Sequence, residues 1–205
     1  MVAEAATTRR RLPPEERRAQ LLETALEVFA RRGFGRAGHA EIAEAAGVAV
    51  STVFLYFKTR EALVDAVLSE VGRYYLDLAL RVHQQEKPCR QILLDHRTAF
   101  HESVESHPYH ARLALDWSTA IREELWPRYT EFMDRLVENH VRTIRRGQQE
   151  GEVPESVDPE ASARMLIASA QMTATQLLAG VDPKTVERMS QLFIAAALGA
   201  FSAVE

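Results

Sequence analysis

A single cysteine, Cys89, excludes an internal disulfide and any structural zinc site built on thiolates, and it suits a reducing cytoplasm. No uninterrupted apolar run approaches the roughly 18 residues a membrane span needs. The arginines of the opening MVAEAATTRRRLPP have no apolar stretch behind them, so a secretory leader is not expected. A glycine-rich phosphate loop, a nucleophile elbow and a paired-carboxylate set are all missing, which argues against an enzyme. No Glu-x-x-His pair occurs, so the di-iron signature of helical oxidases is absent as well. Among the 7 histidines, His96 and His101 are poorly spaced for one helix face, and His107 and His110 flank Pro108. The expectation is therefore no metal and no cofactor. His101 beside Glu102 reads as a solvated surface pair. Strict alternation of apolar and polar residues is also lacking over any length that would build a sheet.

What is present is a globular composition of 205 residues, 46% hydrophobic and 26% charged, enough for one or two domains with a real core. The net charge of −4 hides an asymmetry, because residues 1–60 hold 10 Lys and Arg against 7 Asp and Glu, leaving 15 against 22 in the remainder. A basic N-terminal part on an acidic body would meet a polyanion with one end only. Apolar residues at helical spacing, proline starts and glycine stops predict helices over 15–32 and 39–46. A further helix follows Thr59 as N-cap with Glu61 in its first turn, and others cover 89–106, 109–120, 125–150, 159–179 and 184–203. The fold class is all-α, with about nine helices and no strand.

One stretch resists this reading. Gly47 to Phe57, GVAVSTVFLYF, is rich in β-branched and aromatic residues and by type alone would be a strand. With no partner strand it reads instead as a left-handed glycine turn and a short helix, with Val53, Phe54 and Phe57 facing inward. Ala49, Thr52, Leu55 and Tyr56 then point away. Two short helices joined by a tight glycine turn in a basic segment form the helix-turn-helix pattern, whose second helix enters the major groove. Small residues Ala49, Ser51 and Thr52 at its start would let the backbone come close to DNA.

The stretch ALEVFARRGFGRAGHAEIAEAAGVAVSTVFLYFKTREALVDAVL resembles the DNA-binding domain of TetR-family transcriptional regulators, down to the Gly-Val…Thr-Val-Phe…Tyr-Phe run of Gly47 to Phe57. ARRGFGRAGHAEIAE, STVFLYF, TREALVDAVL and WSTAIREELWP are similar to the LuxR/HapR/SmcR-type quorum-sensing branch of that family, found in vibrios. The resemblance implies a DNA-binding domain over 1–60, with a basic N-terminal arm, and a ligand-binding and dimerisation domain over 61–205. By position, Ser51, Thr52, Tyr56 and Lys58 would bind a double-stranded DNA operator, with Tyr56 and Lys58 on phosphates and His39 and Thr59 near the backbone. Arg9, Arg10 and Arg11 would reach a minor groove. Leu55 stands where the branch carries a polar amide, so it could only pack on a thymine methyl or a sugar.

The same resemblance places Tyr75, Leu78, Ala79, His96, Phe100, Ala114, Met133, Val137, Leu166 and Ala170 around a pocket for an apolar small-molecule effector. Met133 and Val137 are apolar where relatives offer hydrogen-bonding groups, so a greasier cavity or none is expected. Trp117 and Trp126 are expected to anchor the segment around them. Leu177, Met189, Phe193, Ala196, Ala197 and Ala200 supply small and apolar helix faces for a homodimer through a four-helix interface. The expected protein is a cytoplasmic homodimer on a near-palindromic operator, without membrane contact. A local repressor of an efflux or metabolic operon is the nearest alternative reading, and an all-α enzyme or carrier the alternative from another class.

Overall fold

The computed structural model describes residues 12–119 and 125–199, and every regular element among them is an α-helix. The chain falls into two compact units that part between Val67 and Leu68.

In the first unit, α1 (Pro14–Arg32) opens with proline in its first turn, where a missing N–H is harmless. Glu15 and Glu16 sit at its positive end and Arg31 and Arg32 at its negative end. It buries Leu21, Ala25, Leu26, Val28 and Phe29. α2 (His39–Ala46) ends at Gly47, whose φ of 64° and ψ of 40° are left-handed. The Gly47 N–H donates to Glu44 O at 3.1 Å and the Val48 N–H to Ala43 O at 2.9 Å, and this turn sets the direction of the next helix.

That next helix, α3 (Val50–Tyr56), is the strand-like stretch. Seven residues cannot hold a helix alone in water, so its conformation is imposed by what it packs on. Val53 and Phe57 are buried, and the Arg18 guanidinium of α1 lies 5.3 Å from the Phe57 ring centre. Phe54 departs from expectation: it is 46% exposed, with its ring stacked on His39 at 3.9 Å. On so short a helix the inner face has room for Val53 and the capping Phe57 only. α4 (Arg60–His83) begins where Thr59 Oγ1 accepts the Ala62 N–H at 3.1 Å, as an N-cap should.

The second unit comprises the remainder of α4 with α5 (Cys89–Ser106), α6 (Pro108–Ser118), α7 (Trp126–Gln149), α8 (Pro159–Leu178) and α9 (Pro183–Ala197). Each of the last four carries proline in its first turn. Asp158 and Asp182 cap α8 and α9 by accepting backbone N–H groups. The core gathers Leu93, Val137, Ile144, Leu166, Ile167 and Ile194 from four helices around Cys89. Gly147 lets α7 approach closely, since a Cβ there would lie 2.7 Å from Cys89 Cβ and 2.9 Å from Val153 Cγ2. Burial, and then the nearby Glu152 carboxylate, pushes the Cys89 thiol up to about 11. Trp117 donates its indole N–H to Leu125 O at 3.2 Å and stacks on Phe132, while Trp126 stacks on Tyr129, so both tryptophans fasten their own segment.

The last helix is shorter than its apolar pattern suggests. It ends at Ala197, and Gly199 has a φ of 73°. Ala200 lies outside the described residues. Ala197 is not free for a partner, because it is buried in the unit's own core and its carbonyl accepts the Ser162 hydroxyl at 2.8 Å. Leu177, Met189, Phe193 and Ala196 are only half-buried, and Leu192 is 59% exposed.

Candidate nucleic-acid interface and ligand cavity

Fastened by Val53 and Phe57, α3 turns its other side outward. Ala49, Ser51, Leu55, Lys58 and Thr59 are exposed, and Thr52 and Tyr56 are half-buried. The hydroxyls of Ser51 and Thr52 can donate and accept at the helix start, and Lys58 supplies a cation just past its end. Between them lies an apolar surface in which Leu55 is 74% exposed, beside Val50 and Phe54. Leucine has no donor or acceptor, so this surface can read DNA only through methyl groups and sugars.

His39 is placed differently from the expected contact with the DNA backbone. Its ring is buried, its Nε2–H donates to Phe57 O at 2.7 Å, and its face covers Phe54. One imidazole thus satisfies the carbonyl at the end of α3 and holds the helix from the side, a bracing function that spacing along the sequence could not distinguish from a surface contact. Arg9, Arg10 and Arg11 lie outside the described residues.

The second unit holds a cavity of about 110 Å³. Of the residues that the resemblance places around a pocket, Tyr75, His96, Phe100, Ala114, Met133, Leu166 and Ala170 line it. Leu78, Ala79 and Val137 do not: Leu78 and Ala79 are buried one turn beyond Tyr75, and Val137 packs into the core beside Ile144. The lining also contains polar groups with no signal in the sequence pattern, among them Arg97, His101, His140 and Gln171. Greasiness at Met133 is therefore offset by polarity brought from other helices. The Arg97 side chain bonds Thr98 through Nη2 and lies 3.6 Å from Glu187, while its buried Nε and Nη1 have no hydrogen-bond partner. His101 Nε2 lies 3.3 Å from Thr173 Oγ1 and 3.4 Å from Ser190 Oγ. Both hydroxyls already donate to carbonyls of their own helices, so the imidazole N–H is shared between them. Burial pushes His96 down to about 3 and His140 to about 4, and both are neutral at pH 7.

The model of bacterial regulatory proteins of the tetR family matches residues 21–67, from within α1 into α4. The HTH-type transcriptional regulator LuxR of Vibrio harveyi is 40% identical over 161 residues, covering 77% of each chain. A TetR-like transcriptional regulator from Rhodococcus sp. RHA1 superposes with a TM-score of 0.76 at 20% identity, covering 93% of this chain and 98% of that one. The transcriptional regulator FadR from Bacillus subtilis, solved in complex with stearoyl-CoA, superposes with a TM-score of 0.75 at 19% identity over 89% and 98% of the two chains. These two likenesses carry the fold, and the 40% relative carries the family. No helix among the described residues is long and apolar enough to cross a membrane. The chain belongs to the TetR family of bacterial transcription regulators, DNA-binding proteins of the helix-turn-helix kind and not enzymes.

Proposed function

We propose that the protein acts as a homodimer that reads a near-palindromic operator through α3, as a quorum-sensing master regulator whose DNA binding responds to an apolar effector. The observation that carries this is the two-sidedness of α3, with Val53 and Phe57 locked inward while Ser51 and Leu55 are exposed and Thr52 is half-buried. The half-exposed faces of α8 and α9, with Leu177, Met189, Phe193, Ala196 and Leu192, suit pairing by two-fold symmetry. Two such helices would then meet half-sites about one DNA turn apart. The 40% likeness to LuxR supports the quorum-sensing branch. Mapping bound sites across the genome tests it: sites upstream of many unrelated genes are expected, and a single adjacent operon would make the protein a local repressor.

Two substitutions on α3 test the reading helix directly. Tyr56→Phe should weaken binding to all sequences alike, because a hydrogen bond to phosphate carries no sequence information. Leu55→Gln should change which sequence is preferred, as restoring an amide offers hydrogen bonds to a base edge. For the effector, the two unpartnered nitrogens of Arg97 in a mostly apolar cavity favour a small molecule with an apolar body and an acid or acceptor group. Medium-chain carboxylic acids should raise the melting temperature, and their hydrocarbon counterparts should not.

A further inference from the structure

Three histidines that the sequence does not bring together meet in the second unit. His83 closes α4, His96 lies in α5 and His140 in α7. Their ring centres are 4.8 Å apart for His83 and His96, 4.5 Å for His83 and His140, and 5.0 Å for His96 and His140. One ring nitrogen from each lies within 4.8 Å of the other two. We propose that His83, His96 and His140 are the protein ligands of a binding site for a divalent transition-metal ion of the zinc type, with its fourth position open to the cavity.

The outer hydrogen bonds of His83 and His140 are arranged as such a site requires. His140 Nδ1 donates to Leu136 O at 2.9 Å, which leaves its Nε2 carrying the lone pair. His83 Nδ1 pairs with Thr143 Oγ1 at 2.7 Å, and its Nε2 points to His96 Nδ1 at 3.0 Å. Metal-ligating histidines characteristically spend one nitrogen on a carbonyl or hydroxyl, which fixes the ring and the tautomer and presents the other nitrogen to the ion. A tetrahedral ion with nitrogens at about 2.0–2.1 Å holds them about 3.3 Å apart. One pair lies near that spacing at 3.0 Å, and the set as a whole lies within 4.8 Å, so binding would draw the three rings together around the ion. In the metal-free state one N–H bridges His83 Nε2 and His96 Nδ1, and on binding that proton would move to the other nitrogen of its own ring, so that both rings stay neutral and each presents a lone pair.

Imidazole ligands select zinc, copper, nickel or cobalt over magnesium or calcium. Three neutral ligands leave the ion's charge uncompensated, and Arg142 and Arg146 are near enough to act on His83. The fourth ligand is therefore expected to be an anion, hydroxide or a carboxylate. His96 and His140 are also walls of the cavity, so that ligand has a place to arrive from. The inference stands apart from the operator reading and would survive its failure.

The test uses the full chain stripped with a chelator. Co²⁺ should bind one ion per chain and give the intense visible band of a tetrahedral nitrogen site. Zn²⁺ at about a hundred times its Kd should raise the melting temperature by roughly 5–10 °C. His96→Gln and His140→Gln should each abolish the band, while His107→Gln, on the surface beside His110, should leave it intact. Thr143→Val keeps all three ligands and should weaken binding by about 10–100-fold. This variant remains informative should the ligand variants fail to fold. Absence of both the band and the stabilisation, or a band that persists in His140→Gln, would overturn the proposal.

Discussion

His39 shows how much a single side chain decides. It buries an imidazole, stacks on Phe54 and gives its Nε2–H to the carbonyl that ends α3. His39→Ala removes the stack and leaves the Phe57 carbonyl without its donor, at a cost of about 1–3 kcal/mol. Operator affinity should fall through disturbed α3 geometry, while its dependence on salt stays unchanged. A slope reduced by about one unit in a titration of log affinity against log salt would instead make His39 a phosphate ligand. Residue types alone could not separate these outcomes, because both place a histidine at a helix start in a basic segment. The inward placement of Phe54 fails for a related reason: it assumes an inner face wider than seven residues can offer.

At the scale of the helix, the starts are legible in the sequence and the ends less so. Proline, serine, threonine and aspartate act locally on the first turn, so Pro14, Thr59, Asp158 and Asp182 announce their helices. The end of α9 is hidden because Ala195, Ala196 and Ala197 continue an apolar pattern that only the backbone at Gly199 breaks. α7 carries a different constraint, the close approach of Gly147 to Cys89 and Val153. Alanine ordinarily favours a helix over glycine by about 1 kcal/mol, but overpacking of this kind costs about 1–3 kcal/mol. Gly147→Ala should therefore lower the midpoint of chemical denaturation despite the gain in propensity. A rise would mean that Cys89 and the Val153 loop yield easily.

For the molecule as a whole, charge distribution and family pattern are open to reading in the sequence, whereas the meeting of distant helices is not. Tyr75, Phe100 and Met133 are placed at the cavity by position, but Arg97, His101 and His140 reach it through helix rotations that no local pattern encodes. The excess of positive charge in residues 1–60 includes Arg9, Arg10 and Arg11. Deleting that arm should weaken operator binding and lower the salt slope by about 0.9 for each phosphate that is no longer neutralised. An unchanged slope would remove the arm from the mechanism. A final consequence follows from the outward leucine, valine and phenylalanine of α3, which meet water in the free protein. If the operator covers them, association should carry a negative heat-capacity change, with the binding enthalpy growing more favourable as temperature rises. Calorimetry at several temperatures should find that dependence weakened in Leu55→Ser, a thermal signature of a DNA reader that recognises partly by dehydration.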